Sequence, residues 1–194
     1  LNNLSLQCGI YGLLKFFGDE FIITETGEYS SNKRQDGLVR INAVGTMPVI
    51  PTGPTTIFTS IGFDIMKNDS NQDHFDVQKT KYIPGFYDYL DVTVRPGVSV
   101  GFNRLPLNLS LSYAVSSRQY SGRLTQDVLG NYSNEKTNSL THYVSLVTSV
   151  PVMEKLTAFI QQNYIVAGSN MKYEQVYKYN YTAYNIFAGL GFEY

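Results

Sequence analysis

The sequence predicts an all-β chain, an eight-stranded antiparallel up-and-down transmembrane β-barrel with a polar interior. Three observations lead there. Apolar residues recur with period two along most of the chain, while helical periodicity is weak. No position on the alternating apolar stripes is charged, although the chain carries 15 Lys+Arg and 16 Asp+Glu. The opposite face holds Ser, Thr, Asn, Gly and Gln with a few isolated charges, too little Lys and Glu for an ordinary wet surface. A charge at the bilayer midplane costs roughly 2–4 kcal/mol, so an uncharged stripe is what a lipid-facing surface requires.

Each strand follows from its stripe. Leu4, Leu6, Cys8, Ile10, Leu14 and Phe16 place the first near 4–16. Val39, Ile41, Ala43, Met47 and Val49 place the second near 38–50, and Ile57, Ile61, Phe63 and Ile65 the third near 55–66. The clearest alternation lies near 88–103. There Leu90, Val92, Val94, Pro96, Val98, Val100 and Phe102 oppose Asp91, Thr93, Arg95, Gly97, Ser99 and Gly101. Leu107, Leu109, Leu111, Tyr113 and Val115 mark a strand near 106–117. Leu140, Val144, Leu146 and Val150 mark 139–150, and Leu156, Ala158, Ile160 and Tyr164 mark 155–166, with Gln162 interrupting. Tyr184, Ile186, Ala188, Leu190, Phe192 and Tyr194 mark the last, near 176–194.

Short and long connections alternate. Pro51–Pro54, Arg104-Leu105 and Pro151–Glu154 are short and rich in turn residues, while 17–37, 67–87, 118–138 and 167–175 are long and polar. Antiparallel neighbours then gather the short turns and both termini at one end, expected to be periplasmic, and the long loops at the other. Most stripes supply the roughly 9–11 residues that a tilted transmembrane strand needs. Backbone groups in lipid must be paired, so the first strand is expected to pair with the last.

Composition narrows the function classes. Apolar residues make up 43% and charged ones 16%, well under the usual quarter or so, which excludes a disordered chain. One cysteine excludes a disulfide scaffold, and a net charge of −1 offers no basic field for nucleic acid. No apolar run is long enough for a transmembrane helix. The N-terminus lacks the basic and apolar regions of an export signal, so any such signal is expected to have been removed or left out. A single domain over 1–194 is expected. A lipocalin-like barrel or a sandwich is the soluble alternative that would bury the same stripe.

Inward charges are the principal candidate site. Arg40, Asp64, Asp91 and Arg95 all fall opposite the stripe. Placing both stripes of the second hairpin outside lets Arg40 oppose Asp64 directly. One buried ionic network is expected, because eight strands leave an interior only wide enough for side chains. Stripe aromatics sit towards strand ends: Phe16, Phe63, Tyr113, Tyr164 and Tyr184 near the long loops, Phe102 near a turn. These are the expected interfacial girdles. His142 and Ser145, three apart on one strand, face opposite ways, so no nucleophile–base pair follows from them. His74 lies in a loop with Asp69, Asp73 and Asp76, without calcium-loop spacing. No metal site, cofactor or catalytic residue is expected.

In architecture the chain resembles the small eight-stranded outer-membrane barrels of the OmpA/OmpX type. The specific motif is terminal: Tyr194, Phe192 two before it, and Gly189 five before it. Phe187 departs from the polar residue that the family prefers there. The resemblance implies an integral outer-membrane protein of a Gram-negative envelope, with no periplasmic domain after Tyr194. Its partners would be outer-membrane lipid and lipopolysaccharide, an envelope protein at the long loops, and the assembly machinery, which reads Gly189, Phe192 and Tyr194. A structural or surface-interaction role with a plugged interior is expected. The alternatives are a porin-like narrow pore or lateral conduit of the OmpW kind, and a lipid A-modifying enzyme.

Overall fold

The computed structural model describes residues 4–49, 55–75, 81–102, 104–175 and 177–192. Eight long strands form one antiparallel sheet: β1 (Ser5–Ile23), β2 (Tyr29–Val49), β3 (Thr55–Ser70), β6 (Tyr89–Phe102), β7 (Leu107–Gln126), β8 (Tyr132–Met153), β9 (Leu156–Ser169) and β10 (Tyr181–Phe192). Two short strands, β4 (His74–Phe75) and β5 (Tyr82–Ile83), pair within the connection between β3 and β6. The order across the sheet is β1-β2-β3-β6-β7-β8-β9-β10, so each long strand lies beside its neighbours in sequence. That is an up-and-down meander with short turns at one end and long connections at the other. Residues 1–3, the turn Pro51–Pro54, Asp76 and Tyr194 lie outside the described residues.

Two of the expected long loops are largely strand. β1 and β2 continue through 17–23 and 29–37 to a turn at Thr24–Glu28, and β7 and β8 continue through 118–126 and 132–138 to a turn at Asp127–Asn131. The apolar stripe fades there while the ladder goes on. On the outward face Val39 gives way to Gln35 and Lys33, and Ile65 to Lys67 and Asp69. Backbone pairing holds these extensions where side-chain hydrophobicity no longer marks them. Register shifts after Phe16 and after Gln119 mark bulges near the start of each extension. The long loop expected at 67–87 shortens as β3 runs to Ser70, whereas the last one shifts to 170–180, because β9 runs to Ser169 and β10 begins at Tyr181 and not near 176.

Pro96 lies inside the sheet and interrupts its ladder. Pairing of β6 with β7 is seen at Val94–Val115 and resumes at Gly97–Ser112, because proline has no N–H to give.

The first and last long strands do not pair among the described residues; β1 and β10 are the two edges of the sheet. The cross-strand polar links of the inner face join β2, β3, β6 and β7, and β8 and β9, with Glu20 of β1 meeting Arg34 of β2 beyond the bulge. At the seam that face carries Tyr11, Leu13 and Phe187 instead, all more than half exposed.

Burial is inverted relative to a water-soluble domain. The buried hydrophobic residues are Ile83, Ala167 and Met171, whereas Asp36, Asp64, Asn68, Asp91, Thr137, Ser145 and Asn163 are buried polar ones. Leu6, Ile10, Leu14, Phe16, Ile61, Ile186 and Leu190 stand exposed. The two faces are those that the period-two reading separates, with the polar face concave. One cavity touches β6, β7, β8, β9 and Tyr181 of β10, so the sheet curls around its polar side.

Candidate functional site

The inner face of the sheet is tied across by three acid–arginine clusters. In the first, Asp64 on β3 accepts hydrogen bonds from Arg40 on β2, with Nε at 2.8 Å, and from Arg95 on β6. The contacts are diagonal. Arg40 stands opposite Met66 and Asp64 opposite Asn42, so the two are two residues out of direct register. The length of the arginine side chain spans that offset.

Asp91 belongs to a second cluster, not to the first as the sequence leads one to expect. It accepts from Arg118 Nε at 3.0 Å, from Ser116 at 2.7 Å and from Thr93 at 3.1 Å. The reason is register. Asp91 stands directly opposite Arg118 on β7, while Thr93, not Asp91, stands opposite Asp64 on β3. The third cluster is Asp36, held in a fork by Arg34 at 2.8 and 3.0 Å and by Ser70 at 2.6 Å, with Glu20 on the far side of Arg34. Arg34 is clasped by Phe17 and Tyr87, whose ring centroids lie at 4.3 and 3.9 Å. The polar layer continues on β8 and β9: Tyr143 donates to Asn163 at 2.6 Å, and Gln161 donates to Asn163 at 2.9 Å and to Ser145.

Beyond the clusters, at the end of the long connections, the cavity widens to about 550 Å³. Asp91, Ser116 and Arg118 form its floor. Thr137, Ser139, Thr141 and Ser169 line one wall, and Tyr177, Tyr179 and Tyr181 another. The third is Phe86, carried by the connection that includes β4 and β5. That connection is anchored at several points. Asp73 accepts from the Gly85 N–H at 2.7 Å and from the Tyr82 hydroxyl, Asp88 accepts from the Ser70 N–H, and Asn68 donates to the Tyr87 carbonyl. His74 stacks on Phe86 at 4.2 Å. The segment then docks on β7 through Gly122 N–H to Gly85 O at 3.1 Å and Ser121 N–H to Asp88 O at 2.9 Å. Arg123 reaches under it, sandwiched between Phe86 and Tyr120 at 4.1 and 4.0 Å.

Burial raises the Tyr82 hydroxyl to about 12, with the Asp73 carboxylate adding to the rise, so that hydroxyl stays a donor across the physiological range. Burial also raises Tyr179, against the pull of Arg123. At the tip of the β7–β8 hairpin, Asn131 side-chain and backbone N–H groups, and then Leu129, hold Asp127 below its ordinary 3.8. A depressed carboxylate contributes at neutral pH and loses its contribution as pH falls through the folded value. The Asn131 amide resonance is therefore expected to hold its position from neutral pH down to about 4 and to move only below it. Movement near pH 6 would contradict this.

The aromatic candidates lie on the outward face near the upper margin of the apolar belt. Tyr113, Tyr164 and Tyr184 share one cross-strand row with Val144. Phe16 and Phe63 are exposed; Phe102, at the turn end, is half-buried. Tyr113 and His142 share a hydrogen bond of 2.6 Å on that outer face, and Tyr184 donates to Gln162 at 3.1 Å, giving the interrupting glutamine a partner. His142 thus faces outward while Ser145 is buried inside. Phe192 is exposed at the end of β10. Gly189 lies against Phe159, whose ring tip would come within 2.7 Å of a Cβ there, so any larger residue must displace that ring. Among the described residues no three His, Cys, Asp or Glu side chains converge on a metal-sized point.

Arg34, Asp36, Arg118 and Arg123 are functional candidates that the sequence reading passes over. Comparison with protein-family models, curated proteins and solved structures gives no match.

Proposed function

We propose that the chain is an integral outer-membrane β-barrel whose role is structural or interactive at the cell surface, with its interior closed by the ion-pair clusters. The observation that carries the reading is the inverted burial: Asp36, Asp64 and Asp91 are inside while Leu6, Ile10, Leu14, Ile61 and Leu190 are outside. In water such a surface would aggregate; in hydrocarbon it is the stable one. An open sheet edge does not survive in lipid, so β1 and β10 pair in the bilayer. Cys8 and Ile10 on β1 and Ile186 and Leu190 on β10 share the outer surface. Even-numbered residues therefore face even-numbered ones across the seam, and Tyr11, Leu13 and Phe187 meet inside.

Cys8 is the only cysteine and is exposed. In reconstituted vesicles it should react with a lipid-soluble maleimide and resist a charged one; rapid reaction with both would overturn the membrane reading. Ile61→Arg should lower the stability of the inserted protein by about 2–4 kcal/mol, measured by urea unfolding in vesicles. A soluble barrel would instead remain dispersed without detergent. The pore alternative has one observation in its favour. The Arg40 and Arg95 side chains keep 40% and 39% of their exposure, so water reaches the central cluster. Planar-bilayer recording separates the two readings: a closed interior gives no reproducible conductance step.

A further inference from the structure

We propose that the cavity at the wide end is a binding site for a small acidic sugar, with Arg123 as the group that receives its carboxylate. The proposal deepens the reading above, which it needs only for the direction in which the site opens. Three observations carry it. First, Arg123 has no acidic partner among the described residues, whereas Arg34, Arg40, Arg95 and Arg118 each have one. With Asp91 matched by Arg118, the cavity holds one surplus positive charge. Second, two polar atoms at the cavity wall are buried and lack partners among the described residues: Arg123 Nε and Thr137 Oγ1. Thr137 is only 2% exposed. Orphaned buried groups cost free energy, so a ligand whose oxyanion and hydroxyls draw the Arg123 and Thr137 side chains towards the cavity gains by partnering them.

Third, the guanidinium carbon lies over the Phe86 and Tyr120 rings, 4.1 and 4.0 Å from their centroids. That leaves its edge to donate in the plane, the geometry that takes a carboxylate in a fork. The rest of the wall fixes the class of ligand. Ser139 and Thr141 bring hydroxyls to the wall and Tyr177 and Tyr181 bring aromatic rings, while the Ser169 hydroxyl is already engaged by the Asn138 carbonyl and the Met171 N–H. Hydroxyls interleaved with rings suit a polyhydroxylated body with an apolar face, not a hydrocarbon chain. The volume lies within the range of about 300–1,000 Å³ of small-molecule sites.

The test is calorimetric titration of the full chain, refolded in zwitterionic micelles, with glucuronate, glucose 6-phosphate and glucose. β-structure by circular dichroism and resistance to unfolding in cold dodecyl sulfate are read on the same sample. Glucuronate should bind at least tenfold more tightly than glucose. Arg123→Gln should weaken it at least tenfold and Arg123→Lys by less, because the charge stays while the fork is lost. Thr137→Val should weaken it several-fold. Equal affinity for glucose and glucuronate, no glucuronate binding by the β-structured protein, or unchanged binding in Arg123→Gln would each overturn the site. Tighter binding of glucose 6-phosphate would replace the carboxylate by a phosphate ester and overturn the acidic-sugar assignment. A β-structured protein lacking dodecyl sulfate resistance would count against the barrel while the titration still decides the site.

Discussion

Removing Arg40 and Arg95 together should destabilise the folded protein by about 3–5 kcal/mol, far more than the sum of the single removals. Each single change, Arg40→Ala or Arg95→Ala, should cost about 1 kcal/mol or less. The geometry dictates the difference. Asp64 is 5% exposed and takes hydrogen bonds from both guanidiniums. Loss of one leaves the carboxylate paired with the other, and the half-exposed arginines themselves gain little from burial. Loss of both strands a buried charge. Urea unfolding of the four proteins of the cycle in micelles measures the coupling. In an Asp64→Asn background the penalty of the double change should largely vanish. Additive single effects with no coupling would mean that interior water screens the cluster.

What was legible in the sequence is the part governed by side-chain alternation. The two faces, the eight long strands and the ends at which short and long connections gather all follow from which residues avoid charge. The limits of the strands did not follow, because beyond Phe16 and Ser117 the outward face turns polar while the ladder continues. The missed arginines were nevertheless written in the same period. Arg118 and Tyr120 continue the inward positions Ser112, Ala114 and Ser116 of β7, and Asp36 and Arg34 continue those of Arg40 and Asn42 on β2. Following the inward parity instead of the outward hydrophobicity would have reached these, but not Arg123, which lies past the bulge after Gln119 where the parity changes. Pairing between Asp91 and Arg118, and not with Asp64, needed the register, which the hairpin turns set and composition does not. The docking of the β3–β6 connection on β7 left no periodic trace at all, since it rests on backbone atoms.

That docking gives the second large expected effect, at Gly122. A Cβ there would lie 1.9 Å from the Pro84 carbonyl oxygen and 2.5 Å from the Gly85 carbonyl carbon, both backbone atoms that cannot rotate away. In Gly122→Ala the connection must lift off β7. Two backbone hydrogen bonds, Gly122 N–H to Gly85 O and Ser121 N–H to Asp88 O, are then lost, together worth about 1–3 kcal/mol. The strands themselves keep their ladders, so this is local opening and not global unfolding. The equilibrium for opening should rise roughly 10- to 100-fold, read as faster tryptic cleavage at Lys81 with an unchanged unfolding midpoint. Because the lifted segment carries Phe86 away from Arg123, the same variant should lose one side of the guanidinium sandwich. Gly12→Ala is the matched control: it too is a strand glycine, and a Cβ there meets nothing within 4 Å. If Gly122→Ala resists trypsin as well as Gly12→Ala does, the connection is not held by its backbone contact with β7, and the cup has no fixed third wall.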